Sequence, residues 1–99
     1  MAAAYSIATR VKTENASKYL QQLCKHWSHR LAVTYTPQEA RVPFKDDAVC
    51  LMDADSEGLD VRIDAPTSSE ASRLGRVVVE HLRRFAFREE LQAPVWRLA

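Results

Sequence analysis

The sequence predicts an α+β fold, a two-layer sandwich in which two helices cover one face of a largely antiparallel sheet. Three patterns lead to this fold class. Residues 4–12 alternate apolar and polar side chains, which is typical of a half-buried strand. Residues 13–31 and 67–87 repeat their apolar side chains at intervals of three and four, as amphipathic helices do. Short β-rich runs broken by turn residues lie between the two helical segments and give the order β-α-β-β-β-β-α-β.

The first strand leads directly into the first helix. Alternate residues of the strand are predicted to form its buried face, namely Tyr5, Ile7, Thr9 and Val11. The helical segment that follows reads TENASKYLQQLCKHWSHRL. It has Thr13 or Asn15 available as N-cap, and we expect it to run for about four turns.

The middle of the chain holds four β-rich runs, VTYT, ARVPF, AVCLMDA and LDVRIDA, which predict an antiparallel meander. The stretch DADSEGLDVRID, residues 53–64, has the acid spacing of an EF-hand calcium loop. Strands rather than helices flank it, however, and Asp64 stands where that loop needs a glutamate. We therefore expect a β-hairpin in which Gly58 supplies a positive φ and the acids face solvent.

The second helical segment, TSSEASRLGRVVVEHLRRFAF, opens with Thr67 and Glu70 at the spacing of a capping box. Phe85 lies on its apolar stripe, whereas Phe87 lies off the stripe. We expect the helix to loosen there and Phe87 to turn into the core. The tail LQAPVWRLA predicts a last edge strand with Pro94 at its start or rim.

Length and composition indicate one globular domain over residues 1–99. With 46% hydrophobic and 27% charged residues, the disordered, fibrous and membrane classes are disfavoured. No apolar run reaches the about 18 residues of a membrane span, and the first residues lack a secretory pattern. We therefore expect a cytoplasmic protein with no membrane partner. Cys24 and Cys50 are too few for the disulfide framework of a small secreted domain, so reduced, buried thiols are predicted.

Charge is distributed unevenly around a net charge of +1. Residues 46–64 hold seven acids against Arg62 alone, whereas residues 73–99 hold six arginines against three acids. Such segments can pair within one fold or between copies of it, so the sequence is compatible with a monomer or a homodimer. A nucleic-acid binder normally shows an overall basic excess, and we do not expect nucleic acid as the partner.

The stretch LCKHWSHR, residues 23–30, raises the question of a metal site. At about 100° per residue, Cys24 falls on the apolar stripe of the helix, while His26 and His29 share a flanking face. Two histidines supply half of a zinc site at best, and His81 on the second helix is the third candidate ligand. The alternatives are solvated histidines at the helix end and, for His81, a partly buried ring hydrogen-bonded to a backbone or side-chain acceptor.

The stretch HLRRFAFREEL, residues 81–91, interleaves arginine and phenylalanine in a way that could contact phosphates and stack bases. The structural alternative is a solvated helix end at which the arginines pair with Glu89 and Glu90. A small anionic ligand stays open, so Arg84 and Arg88 join the histidines as candidate ligand-binding residues. No glycine-rich phosphate loop, nucleophilic triad, paired-carboxylate site or CxxC motif occurs, so we expect no cofactor, and an enzyme is disfavoured.

The segments YLQQLCKHWSH and HLRRFAFREEL, with the apolar strand pattern between them, resemble the small bacterial family known as domain of unknown function 2218. The resemblance spans nearly the whole chain. It implies a bacterial protein of about this length with an α+β fold and no established activity, so no catalytic residue is carried over. It also implies a link to siderophore-interacting flavin reductases, to which the domain can be fused, and so to iron–siderophore utilisation.

Three functional hypotheses follow from these patterns. The leading one is a non-catalytic binding or accessory domain that recognises a small molecule or a partner protein near its two helices. The alternative from a different class is a metal-binding or metal-trafficking protein that uses His26, His29 and His81. The third is a weak nucleic-acid or anion binder that uses Arg84 and Arg88 on the second helix.

Overall fold

A computed structural model of the protein describes residues 5–99. Its elements are, in chain order, β1 (Tyr5–Lys12), α1 (Ala16–Trp27), β2 (Thr34–Tyr35), β3 (Glu39–Lys45), β4 (Ala48–Ala54), β5 (Gly58–Ala65), α2 (Ser68–Phe85) and β6 (Arg97–Leu98). This order confirms the predicted α+β fold. Position 4, which the sequence pattern places in the first strand, lies outside the described residues.

The six strands form one antiparallel sheet in the order β2-β3-β4-β5-β1-β6. The strands β2 to β5 make the predicted meander, and β1 lies between β5 and β6. One row of cross-strand partners is formed by Val42, Cys50, Ile63 and Ile7, all of them buried. Because cross-strand partners share a face of the sheet, this row marks the face that the helices cover.

Both helices pack on that face and against each other. The α1 helix contacts β3, β4 and β5, while α2 contacts β5 and β1. Fully buried leucines of both helices, among them Leu20, Leu23 and Leu82, fill the space between helix and sheet layers. No helix in the part of the chain from residue 5 to residue 99 is long and apolar enough to cross a membrane.

The α1 helix has 12 residues, or about three turns, and ends at Trp27 instead of continuing to Leu31 as predicted. The amides of Arg30 and Leu31 both donate to the carbonyl oxygen of Trp27, at 3.0 and 2.9 Å. The chain therefore turns sharply after Trp27, and Leu31 still packs against the core. Asn15 occupies the N-cap position, although its side chain makes no capping hydrogen bond.

The ends of α2 agree with the sequence in part. Thr67 caps the helix as predicted, since its Oγ1 accepts the amide proton of Glu70 at 3.1 Å. The helix ends at Phe85, but Phe87 does not turn into the core and is 74% exposed. That prediction is wrong because Ala86 occupies the buried position beyond the helix and Leu91 packs against the core farther along.

The β4–β5 hairpin is present as predicted, but the role expected for Gly58 is wrong, because no glycine among residues 5–99 has a positive φ. The turn closes without one, since Asp55 Oδ1 accepts the amide protons of Glu57 and Gly58 at 2.8 and 2.9 Å. The glycine instead leaves room for Arg10. A Cβ at position 58 would lie 2.8 Å from Arg10 Cζ, whose guanidinium pairs with Asp55 and Asp60.

The C-terminal tail completes the sheet at the edge, as predicted. Leu98 is the cross-strand partner of Ile7, and the hydroxyl of Thr9 donates to the carbonyl oxygen of Val95 at 3.0 Å. Between these contacts, the Trp96 indole lies against α2 at Gly75, where a Cβ would come within 3.2 Å of Trp96 Cζ2. Glycine at position 75 therefore permits the close approach of the tail to the helix.

Candidate functional site

A cavity of about 440 Å³ lies where the end of α1 meets the C-terminal half of α2. Its lining consists of two largely apolar side chains and four basic ones, namely Trp27, Leu31, His26, His29, Arg30 and His81. We call it the histidine cavity. The structure thus brings together the three histidines that the sequence singled out, although they come from segments more than 50 residues apart.

His81 is held by its own helix. Its Nδ1 lies 2.7 Å from the carbonyl oxygen of Val77, one turn earlier in α2. A carbonyl oxygen only accepts hydrogen bonds, so Nδ1 carries the proton and donates it. In the neutral ring, Nε2 is then the nitrogen with a free lone pair, and it is the atom that remains for a ligand.

Aromatic rings form a continuous wall from β3 to α2. The ring centroids of His26 and His81 are 5.1 Å apart, and those of Trp27 and His81 are 5.4 Å apart. Phe44 packs edge-on against Trp27 at 5.1 Å, and Phe85 packs against His26 at 6.1 Å. Trp27 is buried between Phe44 and His81, so its ring is held in a fixed position in the wall of the cavity.

The lining of the histidine cavity contains no aspartate or glutamate. Arg30 contributes a permanent positive charge, and no ion pair to it is present within residues 5–99. Arg30 was not among the residues predicted from the sequence, since the projection of a longer helix gave no reason to place it beside the histidines. The available signal was its position directly after His29, in a segment that becomes a tight turn.

The two arginines predicted to bind ligand lie outside the lining of this cavity. Arg84 is exposed on α2, and Arg88 lies with its Cζ 5.3 Å from the ring centroid of Phe87. Neither pairs with Glu89 or Glu90 in the described part of the chain. The predicted pairing therefore does not form, because Glu89 has other partners.

Glu89 is the centre of a second polar cluster, at the start of α1. Its carboxylate accepts hydrogen bonds from Thr13 Oγ1 at 2.8 Å, from Asn15 Nδ2 at 2.8 Å and from the hydroxyl of Tyr19. Burial, followed by the bond to Glu89, raises the pKa of Tyr19 to about 12. The bond from Tyr19, followed by those from Asn15 and Thr13, lowers the pKa of Glu89. This cluster ties the segment after α2 to the first turn of α1.

The LCKHWSHR stretch, residues 23–30, does not form a metal site in this structure. Cys24 is fully buried in the core, and burial raises its pKa to about 11, so the thiol stays protonated. Within residues 5–99, no group of three or more histidine, cysteine, aspartate or glutamate side chains is arranged to hold a metal ion. The three histidines line one cavity without converging on one point.

Comparison with known proteins places the chain in a family. Residues 8–97 match the model of a family described as an uncharacterized protein conserved in bacteria, DUF2218. The NMR structure of PA4090 from Pseudomonas aeruginosa is similar, with a TM-score of 0.79 and 30% sequence identity over 94% of this chain and 95% of that one. No curated protein matches the chain. The family match and the structural likeness together confirm the resemblance read from the sequence, and the protein belongs to the DUF2218 family of bacterial proteins.

Proposed function

We propose that this protein is a non-catalytic binding domain that holds a small molecule in the histidine cavity. The observation that carries the proposal is the lining itself, in which Trp27 and Leu31 are apolar and His26, His29, Arg30 and His81 supply polar nitrogens. Ligand sites combine apolar walls with a few placed polar groups in this way.

The composition of the lining supports binding rather than catalysis. None of the six lining residues carries a hydroxyl, thiol or carboxylate that could act as a nucleophile. His81 Nε2 accepts a hydrogen bond from a ligand, while the bond from Nδ1 to Val77 keeps the ring oriented. In the cell, we propose a single accessory domain in the bacterial cytoplasm. A role in iron–siderophore utilisation rests on the family resemblance.

Three probes of similar shape and different charge test the proposal: benzoate, benzyl alcohol and benzylamine. A ligand of about nine heavy atoms at about 0.3 kcal/mol per atom has a Kd of about 10 mM, which NMR titration detects. We expect at least one probe to shift the Trp27 indole and the His26 and His81 ring signals in a saturable way.

Matched variants assign that binding to the cavity. His26→Gln should weaken it several-fold, whereas Lys25→Gln should not, because Lys25 is exposed on the same turn of α1 and does not line the cavity. If none of the three probes shifts the cavity signals saturably, or if both variants behave alike, the proposal is wrong.

Metal binding is the second candidate function, because all three histidines line the same cavity. It requires a rearrangement that aims their nitrogens at one point. Long-range proton–nitrogen spectra of the histidine side chains, recorded with and without zinc, copper and iron, test it directly. Stoichiometric metal should fix His26 and His29 in one tautomer, and His26→Ala or His29→Ala should abolish tight uptake. Rings that ignore metal exclude this function.

A further inference from the structure

We propose that the histidine cavity takes an oxyanion carried on a small apolar body and that protonation of its histidines controls the affinity. The inference rests on the proposed function, since it uses the same cavity. It adds the chemical class of the ligand and the way in which its binding is regulated.

The charge of the lining is the first observation. Arg30 is positive at all physiological pH values, and the lining also includes three histidines, whose side chains gain a positive charge on protonation. No carboxylate in the lining offsets these charges. An oxyanion matches the donors that are present, because guanidinium and imidazolium groups both donate charge-assisted hydrogen bonds to it.

The spacing of the rings is the second observation. The ring centroids of His26 and His81 are 5.1 Å apart, so two protons on this pair repel each other unless an anion lies beside them. Because Nδ1 of His81 donates to Val77, His81 takes up its proton at Nε2 and then has a second N–H to donate. An anion that accepts from both rings removes the repulsion and favours protonation.

The groups around this pair come from three elements. The end of α1 and its following turn contribute His26, His29 and Arg30, and α2 contributes His81 and the uncharged Phe85 ring. From β3, the Phe44 ring stands behind Trp27 and does not titrate. The apolar members Trp27 and Leu31 are what an apolar ligand body would contact.

Benzenesulfonate is the first probe, because it keeps its negative charge throughout the pH range in which histidine titrates, and inorganic sulfate is the second, because it lacks the ring. A unit charge about 5 Å away in a water-like medium changes affinity about fourfold, so protonation of His26 and His81 together gives roughly a fifteenfold change. We expect benzenesulfonate to bind about fifteenfold more tightly near pH 5 than near pH 8. Sulfate lacks the ring and should bind less tightly, and because it carries two negative charges its affinity should depend more steeply on pH.

Linkage supplies an independent readout. A ligand that prefers the protonated rings must raise their apparent pKa when bound, by an amount equal to its preference. NMR titration of His26 and His81 with and without benzenesulfonate should therefore show both midpoints moving upward. His26→Gln should reduce the pH dependence about fourfold. Lys25→Gln removes a charge from the same helical turn and should leave that dependence intact.

Each contrary outcome is informative. Binding of benzenesulfonate that does not change with pH, or histidine midpoints that do not move, overturns the inference. Saturable binding of benzyl alcohol in the cavity, with no binding of either anion, overturns the inference while the proposed function stands. His81→Gln could perturb the fold because His81 is partly buried. His26 is exposed, so the pH dependence measured with His26→Gln tests the inference without that complication.

Discussion

Glu89→Ala should destabilise the protein markedly, although Glu89 lies outside the hydrophobic core. The carboxylate of Glu89 accepts hydrogen bonds from Thr13, Asn15 and Tyr19, which lie about 70 residues earlier in the chain. Thr13 and Tyr19 are 7% and 4% exposed, so their hydroxyl groups have little access to water that could replace the carboxylate. A negative charge at the N-terminal end of α1 also interacts favourably with the helix dipole.

The expected loss follows from these three bonds. A net hydrogen bond contributes about 1 kcal/mol, and the exposed bond from Asn15 contributes little, so the free energy of unfolding should fall by about 2 kcal/mol. For a domain of this size, that corresponds to a Tm lower by roughly 8 to 16 °C. Tyr19→Phe should cost about 1 kcal/mol, and less in the Glu89→Ala background, because the two changes remove the same bond.

Urea titration and thermal unfolding measure these losses, with Glu90→Ala as the matched control. Because the pKa of Glu89 is lowered in the folded protein, its contribution is complete above the unfolded value of about 4.3. It is lost as pH falls through the folded pKa, so the difference between Glu89→Ala and the native protein should narrow in acid. A Glu89→Ala variant within about 0.5 kcal/mol of Glu90→Ala would refute this reasoning.

Three other predictions concern helix capping, core packing and the thiols. Thr67→Ala should lower the free energy of unfolding by about 1 kcal/mol in urea titration, and no loss would show that water replaces the cap. In the same assay, Leu82→Ala should lower the free energy of unfolding by about 3 kcal/mol because Leu82 is buried. Phe87→Ala should lower it by less than about 0.5 kcal/mol because Phe87 is 74% exposed, and equal losses would contradict the core described above. Burial raises the pKa of Cys24 to about 11 and also raises that of Cys50, so a thiol reagent at about pH 8 should label neither until denaturant is added, and rapid labelling of the folded protein would contradict this.

The spacing of apolar residues was sufficient to predict those helices and strands in which burial of one face sets the pattern. The alternation in β1 and the apolar stripe of α2 each reflect which face of one element is buried, and periodicity reports that directly. Phe87 shows where periodicity stops being informative. Once the helix ends at Phe85, the next residue, Ala86, is the one that turns inward. Gly58 shows that a turn type cannot be read from a glycine alone, since Asp55 closed the turn differently.

The part of the candidate site that depends on two helices lying side by side was predictable. His26 on α1 and His81 on α2 lie close together because the helices pack against each other. Arg30 was missed because a helical projection loses its meaning after the helix ends at Trp27. Glu89 was expected to pair with nearby arginines, yet hydroxyl and amide donors from the start of α1 bind it instead. A contact that depends on how the chain runs beyond the end of a helix, such as that of Glu89 with the start of α1, leaves no trace in local spacing.

The place of β1 in the sheet bears on how the chain acquires its structure during synthesis. This strand is made first, but both of its neighbours come late, since Tyr5 pairs with Ala65 and Ile7 with Leu98. Pairing across such separations is slow because a long loop must close first. The β1 segment therefore stays unpaired until β5 and β6 have been made, and a chain that stopped shortly before Arg97 would leave one side of β1 open to pairing with another copy.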